Sequence, residues 1–363
     1  MTVTIIDAQP NEQIRVRIPP LYCPLETAVH PDADKLARRS IEWLTRLGFC
    51  DEDAQRSRII GTQSSQWISR LAPHGTGDGL QIASDWVYCG FTLDDALFDL
   101  GPTNVKPDEV VPVVLRLLHV ADHPETEPGS DPFMRALQDL SLRIRAVASP
   151  TVVRRWADGN AEWFLAATGM AGHRARGSAP TLAEYVTSGP RDRGAKASMA
   201  LIETAEGTCL PTSLMEQRAV RAATQAAHLL VTIGNDLYSF RRESTLGIPV
   251  SNIVGVLMRD HRSTPDEAAV EAVQLHDRVM VCYLALRERL ERWAVPELRT
   301  YLTQLDHYVR GNHEWSHSVP RYHDEFGGPG APDVPVWADT PSTPRLGAPR
   351  IPAIAWWWGC ISS

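Results

Sequence analysis

The sequence lacks the features that mark zinc-binding, disulfide-rich or nucleic-acid-binding proteins. Its six cysteines show no CxxC or CxxH spacing, so neither a zinc site nor a disulfide framework is indicated. The net charge of -8 argues against a nucleic-acid surface. Cysteines scattered without a pattern are typical of proteins from a reducing compartment, and we therefore expect a cytoplasmic protein.

Long hydrophobic runs are also missing. The run over residues 222–233 is broken by Gln225 and His228, and the run over residues 246–258 is broken by Pro249. Neither reaches the roughly 20 apolar residues that span a bilayer. The N-terminal residues mix acidic and basic side chains and lack the apolar core of a signal peptide. We expect a soluble protein with no membrane insertion.

Helical periodicity is what the sequence has in abundance. Apolar residues recur at intervals of three and four, as in Leu36, Trp43 and Leu47, and no stretch alternates as a strand does. Proline and glycine clusters separate these segments. The pattern predicts an all-α protein in which helices are joined by short loops.

The two ends of the chain differ from its middle in composition. Residues 1–24 hold four prolines and are predicted to form an extended N-terminal segment. Residues 25–325 form the predicted single helical domain. Residues 326–363, rich in proline and glycine, are predicted to be a mobile tail. The run Trp356, Trp357 and Trp358 either packs back on the domain or is foreign to the protein, and composition leaves both open.

An acidic cluster follows an apolar, aromatic segment of predicted helix. On a helix Asp95 and Asp99 lie about 40° apart and Asp94 lies about 100° from Asp95, so the three carboxylates can converge. Oxygen ligands without cysteine or histidine favour Mg²⁺ or Mn²⁺. Taken alone, such a cluster is more often a solvated turn than a metal site.

A second group of oxygen ligands lies on a distant predicted helix. Asn235, Ser239 and Glu243 are spaced at i, i+4 and i+8. Each step of four rotates a side chain by only about 40°, so the amide, hydroxyl and carboxylate form one stripe. The helix before the stripe is apolar on several sides, which makes a solvent-exposed stripe less natural. The stripe is therefore a candidate site for a further divalent ion.

Together the two groups resemble the metal-binding signature of bacterial class I terpene synthases of the sesquiterpene and diterpene cyclase type. The first has the spacing DDxxxD, and the second matches NDxxSxxxE at Asn235, Asp236, Ser239 and Glu243. A third element of that family resembles Trp315 followed by the pair Arg321 and Tyr322. The resemblance extends over residues 15–325 and implies a single-domain α-helical bundle around a central apolar cavity.

The resemblance also implies an arginine that senses the diphosphate of the substrate. In the family it follows a Glu-Tyr pair by a few residues, but after Tyr185 this chain has Gly189 and Pro190 there. We expect Arg191 to take that role, with Arg193 as its substitute, since either guanidinium could donate two hydrogen bonds to a phosphate. The break that follows would correspond to the family's kinked helix, whose backbone carbonyl points at the substrate.

The function implied is the Mg²⁺-dependent ionisation and cyclisation of a linear isoprenyl diphosphate with release of diphosphate. The metal ligands would be Asp94, with Asp95 or Asp99, on one side and the Asn/Ser/Glu stripe on the other, holding three Mg²⁺ ions, with Mn²⁺ as an alternative. Asp95 or Asp99 could instead pair with an arginine and help the pocket close. Arg191, Arg321 and Tyr322 would hold the diphosphate. The family also implies a possible homodimer.

After ionisation an allylic cation must be kept from water, so the cavity is expected to be apolar with aromatic faces that stabilise positive charge. Each aromatic residue alone is more often a core residue than a cation stabiliser. Phe91 and Trp315 are favoured, since each lies a few residues from a diphosphate motif. The full set of candidates is Trp67, Trp86, Phe91, Trp163, Phe164 and Trp315.

Two alternatives stay open at this point. A chain-elongating isoprenyl diphosphate synthase shares the chemistry but normally carries two aspartate-rich motifs, and this chain has one. A non-catalytic helical protein would carry both clusters as surface features. Farnesyl and geranylgeranyl diphosphate are nearly equal candidates, with a slight preference for the C20 chain if the following small residues face the cavity: Ala219, Ala222, Ala223, Ala226 and Ala227.

Overall fold

A computed structural model describes residues 16–246, 251–323 and 337–361. The chain folds as an α-helical bundle with one short strand near each end. The first half contains β1 (Leu21–Tyr22), α1 (Ala33–Arg46), α2 (Asp53–Gly61), α3 (Ser64–Leu71), α4 (Gly77–Asp94), a π-helical turn (Asp95–Asp99), α5 (Pro107–Asp122), α6 (Pro132–Val147) and α7 (Pro150–Ala175). The second half contains α8 (Leu182–Asp192), α9 (Ala195–Glu206), α10 (Thr212–Met215), α11 (Arg218–Thr245), α12 (Ile253–His261), α13 (Pro265–Glu291), α14 (Pro296–Ser318), α15 (Pro320–His323), β2 (Trp337–Ala338), α16 (Pro352–Ala355) and a 3₁₀ turn (Trp358–Cys360).

Helix α11 lies at the centre of the bundle. It packs against α8, α12, α13 and α14, while α9 packs against α4 and α7. Side chains such as Leu229, Leu230 and Ile233 are fully buried, which explains why this helix is apolar on several sides. Helices α4, α7, α9, α11 and α14 surround a central cavity, and its walls are therefore rigid elements.

A break between α8 and α9 brings backbone to this cavity. Helix α8 begins with a capping box, in which the Thr181 hydroxyl accepts from the Glu184 N–H and the Glu184 carboxylate accepts from the Thr181 N–H. It ends at Asp192, and Gly194 adopts a φ of 63°, a left-handed conformation that favours glycine. Asp192, Arg193 and Gly194 line the cavity. The predicted break at this position is thus present.

The two ends of the described chain meet on α13. Strand β1 pairs in parallel with β2, with Leu21 opposite Trp337. One carboxylate, that of Asp277, accepts the Tyr22 N–H at 3.0 Å and the Ser342 N–H at 2.7 Å. We call the paired strands and this carboxylate the terminal clasp.

The tail beyond β2 also packs on the helices. Ile354, Trp357 and Cys360 are buried, and the Trp357 indole N–H donates to Gln225 on α11 at 3.1 Å. The expectation of a mobile tail is therefore wrong for residues 337–361, because their apolar side chains cover the bundle. Residues 1–15, 326–336 and 362–363 of the predicted terminal segments lie outside the described residues.

Crossing a bilayer needs a helix that is both long and apolar, and the described part of the chain has none.

Candidate active site

Both predicted ligand groups face the same cavity from different walls. Asp94 and Asp99 line it from the end of α4 and the turn that follows, and Asn235, Ser239 and Glu243 line it from α11. The cavity has about 1110 Å³ of space free of protein atoms, counted to its open mouth. The fold thus brings together side chains that lie more than 130 positions apart in the sequence.

The aspartate motif does not continue α4 as a regular helix. Residues Asp95–Asp99 form a π-helical turn, in which the Leu100 N–H donates to the Asp95 carbonyl at 2.8 Å. The angles expected for a regular α-helix therefore do not hold beyond Asp94. We call this turn, together with Asp94, the aspartate turn.

Asp95 is bound by two arginines. The Arg321 guanidinium donates to both of its carboxylate oxygens at 2.9 and 2.6 Å, and Arg242 donates at 2.9 Å. Burial alone would raise the pKa of Asp95, but the two guanidinium groups outweigh it and lower the pKa to about 2. Asp95 stays ionised, is absent from the cavity lining, and joins the aspartate turn to α11 and α15. The arginine-pairing role that the sequence left open thus falls to Asp95.

Asp94 has the opposite environment. No donor among the described residues forms a hydrogen bond with its carboxylate, and burial, with the nearby carboxylates of Asp99 and Asp95, raises its pKa well above the usual range. Asp99 lies 3.7 Å from the Arg242 guanidinium, and burial raises its pKa as well. A cation between these two carboxylates would relieve the repulsion.

The stripe on α11 is held in place by hydrogen bonds. The Asn235 amide donates to the Tyr322 hydroxyl at 2.8 Å, and the Ser239 hydroxyl donates to Glu243 at 2.6 Å. The Asn252 amide donates to the other Glu243 oxygen at 3.2 Å. Burial raises the pKa of Glu243 to about 7, against the opposing effect of Arg193. The three predicted oxygens therefore converge on one face of α11.

Arg193, and not Arg191, reaches the cavity. The Arg191 side chain is 52% exposed, lies 3.7 Å from Glu162 and donates to the Thr187 carbonyl on the outer side of α8. The prediction that Arg191 lies at the site is wrong, because the turn after α8 directs Arg193 inward. The Arg193 Nε and Nη2 donate to Asp236 at 3.1 and 2.7 Å.

Asp236 is the fixed position of the second motif that does not line the cavity. Its side chain is fully buried and also accepts from the Tyr185 hydroxyl at 2.8 Å and from the Ile253 N–H at 2.7 Å. The residue thus fixes Arg193 against α11. Gly189, one of the two residues where the resemblance places the family's arginine, is buried, and a Cβ there would lie 3.2 Å from Thr232 and 3.3 Å from Tyr185.

Aromatic rings form the inner part of the cavity. Phe91 stacks on Trp315 with ring centroids 5.6 Å apart, and the Arg321 guanidinium lies 5.1 Å from the Phe91 centroid. The stacked rings therefore lie beside the guanidinium that binds Asp95. Phe164, a predicted lining residue, packs in the core beside Trp163 instead. The aromatic rings that line the cavity are Trp67, Trp86, Phe91, Phe98, Trp163, Tyr308, Trp315 and Tyr322.

The donor set fits a hard divalent cation. The candidate ligands that line the cavity offer oxygen atoms, as Mg²⁺ prefers, and no hydrogen-bond donor among the described residues would have to leave Asp94. Among the described residues, no three histidine, cysteine or carboxylate side chains converge on one point. Any ion would therefore complete its coordination with amide, hydroxyl, water and ligand oxygens, which is typical of Mg²⁺ bound with a phosphate.

A comparison with protein families decides the identity. The family described as "Terpene synthase family 2, C-terminal metal binding" matches residues 85–281, a span that contains the aspartate turn and the α11 stripe. The chain belongs to the terpene synthase family. The resemblance inferred from the two motifs is thereby confirmed.

Relatives of this terpene synthase align with nearly its whole length. Spiroviolene synthase of Streptomyces violens is 35% identical over 347 residues, which cover 94% of this chain and 97% of that protein. The (+)-T-muurolol synthase of Streptomyces clavuligerus, described as (2E,6E)-farnesyl diphosphate cyclizing, is 28% identical over 93% of this chain and 81% of that protein. The crystal structure of the SVS_A2 protein from ancestral sequence reconstruction is 34% identical, with a TM-score of 0.84, and covers 94% of this chain and 99% of that chain. The predicted all-α fold and enzyme class, a terpene cyclase, are confirmed.

Several residues of the candidate site of this terpene synthase were not predicted from the sequence. Arg242 lies inside the second motif, beside Glu243, but only the fold shows that it faces Asp95. Arg174 on α7 and Asn312 on α14 line the cavity and belong to no motif. Asn312 accepts from the Trp67 indole N–H at 2.9 Å, and no local pattern in the sequence indicated that contact.

The alanines of α11 do not face the cavity. Ala222, Ala223, Ala226 and Ala227 are fully buried in the core of the bundle. The first residue of α11 that lines the cavity is Val231. The argument for a C20 substrate from these small residues is therefore wrong, because the helix turns them toward its neighbours.

Proposed function

We propose that this terpene synthase catalyses the Mg²⁺-dependent ionisation and cyclisation of a linear isoprenyl diphosphate, geranylgeranyl or farnesyl diphosphate, with release of diphosphate. The observation that carries the proposal is a single cavity lined both by oxygen ligands from two walls and by aromatic rings. The oxygen ligands suit a diphosphate with its cations, and the rings suit a hydrocarbon chain.

The metal ions would be held by Asp94 and Asp99 on the aspartate turn and by Asn235, Ser239 and Glu243 on α11. When bound, Mg²⁺ supplies positive charge that stabilises the diphosphate as its C–O bond breaks. The number of ions, three, and the use of Mn²⁺ stay predictions.

The protein's own cations would bind the diphosphate beside the metals. Arg193 and Arg321 line the cavity and are fixed by Asp236 and Asp95, so their guanidinium planes are set before a ligand arrives. Tyr322 lies beside Asn235 and supplies a hydroxyl to the same end of the cavity. Arg193 thus replaces Arg191 as the proposed diphosphate sensor.

The aromatic walls would protect and stabilise the carbocation. Faces of Trp and Phe rings attract positive charge, and a dry, apolar lining keeps water from the cation. Phe91 and Trp315 are the strongest candidates, since the two rings stack and Phe91 lies beside the Arg321 guanidinium. Trp67, Trp86 and Trp163 also line the cavity and would stabilise other cations of the reaction.

The competing functions fit this site less well. A chain-elongating synthase would need a second aspartate-rich motif, whereas the facing wall carries Asn235, Ser239 and Glu243. A non-catalytic protein would leave both clusters on the surface, but Ser239 is only 2% exposed. Homodimer formation and a cytoplasmic location stay predictions.

Incubation of the purified protein with Mg²⁺ and either farnesyl or geranylgeranyl diphosphate tests the proposal. Gas chromatography with mass detection should show a cyclic hydrocarbon or terpene alcohol from at least one substrate, and chelation with EDTA should abolish it. A longer isoprenyl diphosphate would instead support the elongating activity. No turnover of either chain length with Mg²⁺ or Mn²⁺ would contradict the proposal.

A further inference from the structure

Arg174 lies near the C-terminal end of α7, outside every recognised motif. Its side chain lines the cavity on the side of the aspartate turn. The Nε donates to the Asn104 carbonyl at 2.9 Å, and Nη2 donates to the Phe98 carbonyl at 2.7 Å. Two backbone oxygens therefore hold the guanidinium in one plane against the turn.

Arg174 forms no salt bridge with a described residue, unlike its neighbours, although its charge opposes the rise in the pKa of nearby Asp99. Arg193 pairs with Asp236 and Asp192, while Arg242 and Arg321 both pair with Asp95. Among the described residues Arg174 binds only neutral carbonyls, and its Nη1 makes no hydrogen bond. A partly buried guanidinium that forms no hydrogen bond with a described carboxylate is suited to an anionic ligand.

We propose that Arg174 is a further diphosphate-contacting residue, which donates from Nη1 to a diphosphate oxygen beside the aspartate turn. The inference rests on the proposed function, which supplies the diphosphate group. The carbonyl contacts explain why an arginine suits this position: two donors are used for orientation and a third stays available. Lysine carries the charge but cannot make this planar arrangement.

Arg174 could instead act only by stabilising the loop after the aspartate turn. Asn104 supplies a matched control for that alternative, because its amide donates to the Asp99 carbonyl at 3.0 Å. The Asn104→Ala substitution weakens the same loop without removing a charge from the cavity.

The test is calorimetric titration of inorganic diphosphate, at saturating Mg²⁺, into the wild type and three variants. Arg174→Gln should weaken diphosphate binding by about 10- to 100-fold, the loss of one charge-assisted hydrogen bond. Arg174→Lys should weaken it by about 5-fold or more, and Asn104→Ala by about 2-fold or less. Circular dichroism checks that each variant is folded, and Arg174→Lys decides the matter if Arg174→Gln does not fold.

Wild-type affinity in both Arg174 variants, or in Arg174→Lys when only that variant folds, would overturn the inference. An equal loss in Asn104→Ala and Arg174→Gln would also overturn it, because the effect would then come from the loop. No binding of diphosphate by the wild type would overturn it as well. Product formation by the wild type is measured in parallel. If the wild type forms a cyclic product and Arg174→Gln binds diphosphate as tightly as the wild type does, only this inference is contradicted. If the affinities change as expected but the wild type forms no product, only the proposed function is contradicted.

Discussion

The α11 wall and the aspartate turn carry similar oxygen ligands but hold them by different means. On α11 the ligands follow from one regular helix, and each step of four residues keeps a side chain on the same face. On the aspartate turn the helix changes to π geometry, and Asp94 and Asp95 have opposite environments. Identical residues in one motif can therefore have different roles, because the fold places different side chains around each.

The largest expected effect separates Asp94 from Asp95. Asp94→Asn removes a proposed metal ligand and should lower kcat/KM by more than about 100-fold, since even indirect ligand contacts are worth 10- to 100-fold. It should raise the Mg²⁺ concentration needed for half-maximal rate without lowering the free energy of unfolding, because it also removes a repelling carboxylate.

Asp95→Asn should have the opposite pattern of effects on stability and on the Mg²⁺ requirement. It leaves Arg321 and Arg242 without their shared charge, which should lower the free energy of unfolding by about 3 kcal/mol, the cost of breaking a buried ion pair. The Mg²⁺ requirement should change little. Denaturant unfolding and Mg²⁺ titration of the rate measure both quantities, and identical signatures in the two variants would contradict the division of roles.

An intermediate effect is expected at Gly234, which sets the distance between α11 and α14. A Cβ at this position would lie 2.1 Å from His313 Nδ1 on α14, so Gly234→Ala forces the helices apart beside Asn235. We expect a loss of about 1–3 kcal/mol of unfolding free energy, as for other overpacked cores.

Gly169→Ala on α7 is the matched control, because nothing lies within 4 Å of the position that a Cβ would take there. Alanine at an open helical site should stabilise by about 0.5–1 kcal/mol. Chemical denaturation compares the two variants, and a Gly234→Ala protein as stable as the wild type would show that α11 and α14 adjust without cost.

The smallest effect is expected at Arg191. Its ion pair with Glu162 is largely exposed, so Arg191→Ala should change kcat/KM by about 2-fold or less. Arg193→Ala, in contrast, leaves the buried Asp236 unpaired and removes a cavity guanidinium, and it should lose most of the activity. Similar rates for the two variants in a steady-state assay would place the diphosphate sensor elsewhere.

The same contrast explains what could be predicted from the sequence. The α11 stripe and the helical fold depend on periodicities of three and four residues, which a sequence displays directly. One partner of Asp95 lies 226 positions away at Arg321, and nothing local to either residue indicates the pairing. The choice between Arg191 and Arg193 depends on how one turn after α8 directs its side chains, and the packing of Trp357 depends on a helix more than a hundred positions earlier.

The terminal clasp has a consequence for how the chain is made. Leu21 and Trp337 pair across a separation of about 300 residues, a contact that costs loop-closure entropy and can form only when most of the helices exist. During synthesis β1 therefore cannot pair until Trp337 and Ala338 have left the ribosome. The clasp is expected to be among the last contacts to form, and a fusion partner placed at either end is expected to slow the final folding step more than one inserted in a surface loop.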